Sequence, residues 1–314
     1  MKKRIEIFLA MILVFVMISC DDEKKTENPP SFASLEDFYA ANGTASKIYT
    51  INAATGGSFT TLQGTMVTVP ANAFVDQNNN AVTGNVNIHF KDIYKKSDMV
   101  LNQLQTMEGT FDSRLMKSAG MFFIKAMQGN VAVQLAAGHK ISVRQPFFGL
   151  PGDTAMIPMS TFSGDSLFMG WFPNIDTLTI TALNYIYDFY RFNSPLGSGS
   201  WLNTDNPTFF SAYSQTPIVL HPLDSFSSYK MEVYLLFKAV NTVVHIYYDN
   251  GNNGFNYPYA PLGTECTAVS FGVKDGKLYA SFTPMVISDN LSLDFSLSET
   301  TTEAFKANLE SLNE

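Results

Sequence analysis

The chain has 314 residues, of which 46% are hydrophobic, 13% aromatic and 15% charged, with a formal net charge of −8. This length predicts two domains of roughly 100–150 residues. Few charges and many aromatics favour β-rich extracellular domains over helical cytosolic ones. The negative charge repels phosphate backbones and no basic aromatic stripe is present, so the sequence argues against a nucleic-acid partner.

Residues 1–19 have the pattern of a signal peptide. A positive segment, Lys2 to Arg4, precedes an unbroken apolar run from Phe8 to Ile18. That run is shorter than the roughly 20 residues needed to span a bilayer. Cleavage after residue 19 would remove three positive residues and one negative residue, which takes the formal net charge from −8 to −10.

Met17-Ile18-Ser19-Cys20 ends the apolar run and resembles the lipobox of bacterial lipoproteins. The resemblance implies that Cys20 becomes the first mature residue and is acylated, although Met17 stands where leucine is usual. Each buried CH₂ contributes roughly 0.8 kcal/mol, and two or more acyl chains give stable attachment. The sequence therefore predicts a membrane contact through lipid at Cys20, with ordinary secretion and cleavage elsewhere as the alternative.

Residues 20–33 are predicted to form an acidic, polar tether. The run Asp21-Asp22-Glu23 resembles the surface-export signal of Bacteroidetes lipoproteins. This implies an outer-membrane lipoprotein exposed at the cell surface, with the periplasmic face as the alternative. The same residues also suit a solvated linker with nothing to pack. With Cys20 acylated, Cys266 has no disulfide partner and is predicted to be a small core residue.

Residues 34–146 are predicted to form a first β-sandwich domain. Ser34 to Ala41 suits a short helical turn with Leu35 and Phe38 facing inward. After Gly43 the hydrophobic period changes to two, and short strands recur about every ten residues, which is typical of a sandwich. In the strand Asn85–Lys91, one face carries Val86, Ile88 and Phe90. Gln128-Gly129-Asn130 predicts a hairpin turn.

Two segments of this domain resemble a group of uncharacterised Bacteroidetes surface proteins. They are Gly64–Asp76, with the sequence GTMVTVPANAFVD, and Ser118–Phe122, with the sequence SAGMF. The first is also distantly similar to the ZU-type β-sandwich. The resemblance covers roughly residues 45–146 and implies a sandwich. The residues themselves favour a strand that ends at Pro70 and a turn that buries Phe74.

Residues 147–175 are predicted to connect the two domains as a hairpin, with Ser163–Asp165 as its turn. A second antiparallel sandwich is predicted over 176–298, beginning with the strands Thr177–Leu183 and Tyr185–Phe192. Lys274–Lys277 is a strong tight-turn signal. The predicted fold class is thus all-β, with two antiparallel β-sandwich domains.

A short helix is predicted over residues 299–314. Thr300–Glu303 fits a capping box, and Phe305, Leu309 and Leu312 share one helical face. Packing on the second sandwich accounts for that face, and a partner-binding helix is the alternative.

Two segments of the second half, Trp201–Asp205 and Tyr234–Val243, resemble motifs of the same bacterial group. The first departs from the group pattern by carrying Leu202 and Thr204 and by its preceding Gly-Ser insertion. The resemblance implies a fold and a cellular location but no chemistry.

Catalytic motifs are lacking in the sequence. The histidines His89, His139, His221 and His245 form no close pair, which argues against a helix-borne zinc site, and each is interpreted as an ordinary strand or loop residue. There is no nucleophile elbow, phosphate loop or dinucleotide fingerprint. A glycosidase needs two carboxylates about 5–9.5 Å apart, for which Asp188, Asp205 and Asp224 are the candidates. We expect neither an enzyme nor a cofactor.

Two Asn/Asp-rich segments faintly resemble calcium loops. One holds Asp76, Asn78 and Asn80, and the other begins at Asp249. The second lacks the ligands that an EF-hand requires at positions 3 and 12. Asn and Asp are also common in turns because they hydrogen-bond to their own backbone, so turns are the favoured interpretation.

Aromatic side chains flank the second of these segments. They are Tyr248, Phe255, Tyr257 and Tyr259. Alternating aromatics usually line a sandwich core, but Tyr257 and Tyr259 lie in a polar, proline-marked stretch. If exposed, they would form a binding surface for sugar stacking or protein contact.

The sequence therefore predicts a lipid-anchored envelope protein that is not an enzyme and binds a glycan, a protein or another envelope component. One alternative is a structural subunit of an outer-membrane assembly. Another is a glycan hydrolase with a carboxylate pair.

Overall fold

A computed structural model describes residues 31–109, 114–146, 160–165, 170–174, 176–180, 184–189, 199–223 and 231–314. Cys20, most of the predicted tether and Asp224 lie outside the described residues. Within them the chain is mostly β-structure, so the predicted all-β class is confirmed. Among the described residues, none of the helices has the length and hydropathy of a membrane span.

The three helices are short; two lie near the ends of the described chain and one follows residue 95. They are α1 (Leu35–Asn42), α2 (Lys96–Leu101) and α3 (Thr302–Glu310), with a 3-10 turn at Ser311–Asn313. The side chain of Ser34 caps α1 by accepting from the Asp37 N–H, and that of Thr301 caps α3 by accepting from the Ala304 N–H. The predicted terminal helix is confirmed, with its cap one residue later than the predicted box.

The strands cover most of the remaining described residues. The first eleven are β1 (Lys47–Asn52), β2 (Gly57–Thr60), β3 (Met66–Val69), β4 (Phe74–Val75), β5 (Asn85–Ile93), β6 (Lys117–Gln128), β7 (Val131–Ala132), β8 (Gln134–Leu135), β9 (Ile141–Pro146), β10 (Ser160–Asp165) and β11 (Gly170–Pro173). The others are β12 (Thr177–Ile180), β13 (Asn184–Phe189), β14 (Ser200–Asn206), β15 (Gln215–Pro222), β16 (Met231–Phe237), β17 (Val243–Asp249), β18 (Gly254–Pro261), β19 (Glu265–Lys274), β20 (Lys277–Val286), β21 (Leu291–Phe295) and β22 (Ser298–Thr300).

Two sheets enclose the first hydrophobic core. One has the order β1-β5-β6-β14-β10-β11, with β7 beside β6, and the other has the order β12-β13-β9-β3-β2. Val86, Ile88 and Phe90 point from β5 into this core, as the alternation predicts, and meet Val143 and Tyr187 from the opposite sheet. Phe74, at 1% exposed, is buried as predicted and lies on the small β4-β8 ribbon.

A third sheet of eight strands has the order β21-β15-β18-β17-β16-β19-β20-β22. One face of β16 carries Val233 and Leu235 into a core shared with β15 and β18. The other face carries Tyr234, which packs with Phe271 beneath the helices. Phe38 of α1 and Phe305 of α3 cover that face, with ring centroids 5.8 and 4.9 Å from that of Phe271.

The pairing of strands departs from the boundary predicted at residue 176. β13 pairs with β9, and β14 pairs with β6, so both continue the first pair of sheets rather than starting a second sandwich. The third sheet starts at β15. It is mixed rather than purely antiparallel because β15 and β21 run parallel.

Two smaller predictions are also corrected. Ser163–Asp165 lie inside β10, which pairs with β11 as predicted, so the reversal of the chain comes later than the predicted turn. The predicted tether ends too late, because Phe32 is 6% exposed and packs against Phe38. The turns at Gly129 and at Asp275-Gly276 are confirmed, since these residues have positive φ and close the β6-β7 and β19-β20 hairpins.

Candidate functional site

The predicted aromatic surface is only partly exposed. Phe255 and Tyr257 are 2% and 4% exposed and belong to the core of the third sheet. The segment is strand β18 rather than the predicted loop, and Phe255 and Tyr257 line the core, which is the interpretation that alternating aromatics favour. Tyr248 is half-buried, and its hydroxyl donates to Asn253 Oδ1 at 2.7 Å.

Tyr259 is the exposed member of this group, and a β-bulge explains why. Ile218 of β15 lies opposite Tyr257, whereas Thr216 lies opposite Ala260. Two residues of β18 therefore face one residue of β15, which breaks the two-residue alternation and turns Tyr259 out of the core. Pro258 is accommodated at the same irregularity.

Other exposed aromatic and apolar side chains lie at the same end of the third sheet as Tyr259, where Gln215 pairs with Pro261. Tyr213 is 41% exposed, and Leu262, whose backbone N–H donates to Ser214 O at 2.8 Å, is similarly accessible. A small hollow of about 60 Å³ lies beside Tyr259 and is lined also by Arg114 and Gln215. We call Tyr213, Tyr259, Leu262 and Arg114 the tyrosine patch.

Both predicted calcium loops are hydrogen-bonded turns. Asp76 Oδ2 accepts from the Asn80 side-chain amide at 3.0 Å, and Oδ1 accepts from the backbone N–H groups of Asn80 and Asn78 at 2.8 Å each. These bonds, the Asn80 side chain first, lower the pKa of the Asp76 carboxyl. Asp249 Oδ1 accepts from the Gly251 N–H at 2.8 Å. The favoured turn interpretation accounts for both loops. In the described ranges, no three His, Cys, Asp or Glu side chains come together as a metal site.

The candidate catalytic carboxylates lie in different sheets. Asp188, on β13, accepts from Lys140 Nζ at 2.5 Å and from the Ser142 hydroxyl. Asp205, on β14, is fully buried. Each carboxylate is engaged by its own neighbours, and no contact joins them.

His245 is buried beside Glu232 and aromatic rings. Its Nε2 pairs with the Glu232 carboxylate, and its ring stacks on Tyr234 with centroids 4.5 Å apart. The backbone N–H of His245 donates to Gln105 Oε1 at 3.0 Å. These contacts hold β17 against the helical side of the sheet and agree with the interpretation of His245 as a strand residue.

Segments that carry the resemblance meet at a buried polar cluster. Ser118 donates to Asn203 Oδ1 at 3.1 Å, and Asn203 Nδ2 donates to Asp205 Oδ2 at 2.5 Å. Asn241, from the turn after β16, donates to the backbone oxygens of Tyr94 and Ser118 at 3.0 and 3.1 Å. We call Ser118, Asn203, Asp205 and Asn241 the polar junction, because it ties the first sheet to the third.

The junction depends on an irregularity in β6. Thr204 pairs with Gly120 but Asp205 pairs with Ser118, so Ala119 is an extra residue. Gly120 has φ +121°, and a Cβ there would lie 2.3 Å from the Tyr94 ring. Burial raises the pKa of the Asp205 carboxyl well above its usual range, which favours its protonated form.

A larger cavity lies at one end of the third sheet. Its volume is about 560 Å³, and its walls are the ends of β16, β19 and β20, at residues 236–238, 265–267 and 284–286, together with Lys96, Ser311, Leu312 and Glu314. We call it the Lys96 cleft. It is the larger of the two cavities described here and has both apolar and charged walls.

Lys96 is placed by the first turn of α2. The neighbouring Ser97 hydroxyl donates to Glu310 Oε2 at 2.8 Å, and the Ser97 N–H donates to Asn313 Oδ1 at 3.0 Å. These bonds fix α2 against α3 and the 3-10 turn. Lys96 is consequently only 2% exposed, and its Nζ donates to Phe237 O, at the end of β16, over 2.8 Å.

Burial changes the ionisation of two side chains in this cleft. Desolvation lowers the pKa of the Lys96 ammonium to about 8 and raises the pKa of the Cys266 thiol to about 12. The thiol therefore stays protonated, as expected for a core cysteine. On the rim, Lys238 Nζ and Glu265 Oε2 pair at 2.7 Å, so their charges offset each other.

Comparisons of the chain with protein-family models, with curated proteins and with solved structures each found no match. The fold and the candidate sites are therefore interpreted from the sequence and structure of this chain alone.

No motif in the sequence indicates the Lys96 cleft. Lys95 and Lys96 are adjacent, yet Lys95 is half-exposed and pairs with Glu310 whereas Lys96 is buried. The difference arises from residues more than 200 positions away that cover α2. By contrast, the sequence pattern indicates Tyr259 as a candidate binding residue.

Proposed function

We propose that this chain is a lipid-anchored envelope protein whose β body binds an envelope glycan without cleaving it. The sequence Met17-Ile18-Ser19-Cys20 behind the apolar run carries the anchoring part of the proposal. The proposed location is the outer membrane with the body at the cell surface, which the acidic run after Cys20 supports.

The point where the tether joins the body supports this arrangement. Phe32 N–H donates to Gly276 O at 3.3 Å, in the turn between β19 and β20. Eleven residues separate Cys20 from Phe32, and a chain of that length reaches at most about 40 Å. An anchor at Cys20 would thus hold the Gly276 turn near the membrane.

The tyrosine patch lies at the other end of the third sheet. Lys274 and Lys277 pair at the Gly276 end of β19 and β20, and Glu265 and Val286 pair at the opposite end. Following the antiparallel pairing through β16, β17 and β18 places Pro261 at that opposite end. Since a ten-residue strand is about 30 Å long, the patch would face away from the attachment point.

The chemistry of the patch favours a sugar. Tyr213 and Tyr259 offer exposed rings for stacking on the apolar face of a pyranose. Arg114 and Gln215, in the hollow beside Tyr259, supply hydrogen-bonding groups for its hydroxyls. Asp188 and Asp205 do not converge, which supports binding rather than hydrolysis.

Fractionation tests the anchor. Cys20→Ala is expected to move the body from the membrane fraction to the soluble fraction of cells, because the acyl chains are the proposed attachment. Cys266→Ala, which removes the other cysteine and leaves the Met17–Cys20 segment unchanged, is the control. Retention of Cys20→Ala in the membrane fraction would contradict lipid anchoring.

Glycan binding is tested with the purified full chain on an array of bacterial and host polysaccharides. Tyr259→Ala is expected to weaken binding at least about tenfold, through loss of one stacking contact. Tyr247→Ala is the matched control, because Tyr247 is exposed but lies toward the Gly276 end of the sheet. Equal loss in both variants, or capture of a protein with no glycan bound, would reject the glycan assignment.

A further inference from the structure

The Lys96 cleft has the dimensions of a small-molecule site. Its volume of about 560 Å³ lies within the 300–1,000 Å³ typical of ligand pockets. Apolar walls from Phe237, Met285 and Leu312 surround one buried cation. A few polar groups in a mostly apolar pocket are the usual means of orienting a ligand.

The buried cation is incompletely satisfied. An ammonium carries three N–H donors. Lys96 Nζ donates to Phe237 O at 2.8 Å and to Glu314 O at 3.5 Å, the second at the limit of a hydrogen bond. Among the described residues, no side-chain carboxylate forms an ion pair with it, although Glu314 also lines the cleft. A buried charge without a close side-chain counter-ion is costly, so an anion binding to Lys96 would relieve that cost.

We propose that the Lys96 cleft binds a small monocarboxylate, with its carboxylate on Lys96 and its aliphatic part against Phe237, Met285 and Leu312. The proposal goes beyond glycan binding, since it concerns a different cavity and a different class of ligand. The site and its lining are all within the described residues.

The charges around the cleft select a monoanion with an apolar tail. Lys96 is the one unpaired cation among the described lining residues, since Lys238 is already paired with Glu265, and Glu314 adds a negative charge that would oppose a dianion. A phosphate carries about two negative charges at neutral pH and would lack a second partner here. The apolar walls contribute further affinity through burial of methylene groups.

Calorimetric titration of the purified full chain tests the proposal. The probes are straight-chain monocarboxylates from acetate to octanoate, each with its uncharged amide, and inorganic phosphate. Affinity is expected to increase with chain length until the cleft is filled. Each carboxylate should bind at least about tenfold more tightly than its amide, because a charge-assisted bond to Lys96 is lost in the amide.

Variants locate the site. Lys96→Met preserves length and apolar volume and is expected to lower carboxylate affinity at least about tenfold while leaving the amide unaffected. Lys277→Met, an exposed lysine paired with Glu299 at the Gly276 end, is the matched control and should bind normally. Met285→Trp should block the cleft without removing the charge.

The amide comparison uses the unaltered chain, so the proposal stays testable if Lys96→Met does not fold. No binding of any carboxylate, equal affinity for carboxylate and amide, or unchanged binding in Lys96→Met would overturn it. Tighter binding of phosphate than of any carboxylate would overturn the assignment of the ligand class. Because no arm of this experiment involves Tyr259 or Cys20, its failure would leave the glycan and anchor tests unaffected.

Discussion

The polar junction and the Lys96 cleft both bury ionisable side chains, but in different surroundings. At the junction, neighbouring side chains and backbone groups engage Ser118, Asn203, Asn241 and one oxygen of Asp205. The other Asp205 oxygen is buried without a hydrogen-bond partner among the described residues, and burial raises the pKa of this carboxyl. In the cleft, Lys96 faces a cavity and has two backbone acceptors. The first arrangement is filled by the protein itself and serves the fold, whereas the second leaves space for a ligand.

The two sites also differ in whether recognisable sequence segments contribute to them. Ser118 and Asn203, which lie in segments with recognisable sequence patterns, belong to the junction and link β6 to β14. The cleft is formed mainly by residues with no motif. In this chain, recognisable segments thus mark architecture, and the proposed ligand site lies elsewhere.

The largest expected effect is at the junction. Gly120→Ala should lower the free energy of unfolding by more than about 3 kcal/mol, because the new Cβ meets the Tyr94 ring in an unfavourable backbone conformation. Denaturant unfolding measures this. Gly129→Ala, also at positive φ but with nothing within 4 Å, is the control and should cost about 1–2 kcal/mol. Similar losses in the two variants would mean that the junction is loosely packed.

The next prediction concerns how the free energy of unfolding depends on pH because of Lys96 in the cleft. The folded pKa of Lys96 is about 8, below its ordinary value of 10.5. Between pH 8 and 10.5 Lys96 is protonated in the unfolded chain and largely deprotonated in the folded chain. Because the unfolded state binds more protons there, the free energy of unfolding rises with pH. Relative to Lys96→Met, the unaltered chain should gain on the order of 2–3 kcal/mol across that window.

Groups facing Lys96 require a control in that experiment. Lys238 and Glu265 are paired on the rim, and Glu314 lies beside them. The pKa of Cys266 is raised to about 12, so its contribution falls with pH between roughly 9 and 12, opposite in sign to that of Lys96. Measuring both chains in a Cys266→Ala background removes this contribution. A constant difference between them over pH 8–10.5 would contradict a depressed pKa at Lys96.

Asp205 should show the reverse pH dependence to Lys96. Its folded pKa is raised, so above pH 4 the unfolded chain loses a proton that the folded chain keeps. Stability therefore falls as pH rises from 4 toward the folded pKa. Asp205→Asn, which is neutral throughout, should become more stable relative to the unaltered chain between pH 4 and 7. Parallel stability curves would show that Asp205 is ionised in the fold.

The smallest effect is at the tyrosine patch. Tyr259→Ala should change the free energy of unfolding by less than about 1 kcal/mol, because this ring is 38% exposed. Tyr257→Ala, two residues earlier and buried, should cost about 3–5 kcal/mol. Thermal or denaturant unfolding of the pair measures the difference, and equal losses would contradict the bulge at Pro258.

Local patterns predicted local structure well. The alternation in β5, the turns at Gly129 and Gly276, and the terminal helix follow from side-chain period and turn chemistry, which neighbouring residues determine. The partners of strands do not follow from such patterns. β13 was assigned to the second half although it pairs with β9, about 40 residues earlier.

The sites were harder to predict for the same reason. Tyr257 and Tyr259 differ in burial because β15 supplies one residue opposite two of β18. Phe32 is buried because the Gly276 turn lies beside it. Lys96 is buried because α3 and residues 311–314 cover it, and no short-range feature of a lysine pair indicates that contact.

The most direct test of the contrast between junction and cleft is proton uptake on ligand binding. Calorimetry of hexanoate at pH 8, repeated in buffers of different ionisation enthalpy, counts the protons taken up. Since the pKa of Lys96 is about 8, half of the free protein is protonated there, and binding should take up about half a proton. Lys96→Met should take up none. Hexanoate binding without proton uptake, or with equal uptake in Lys96→Met, would contradict the account.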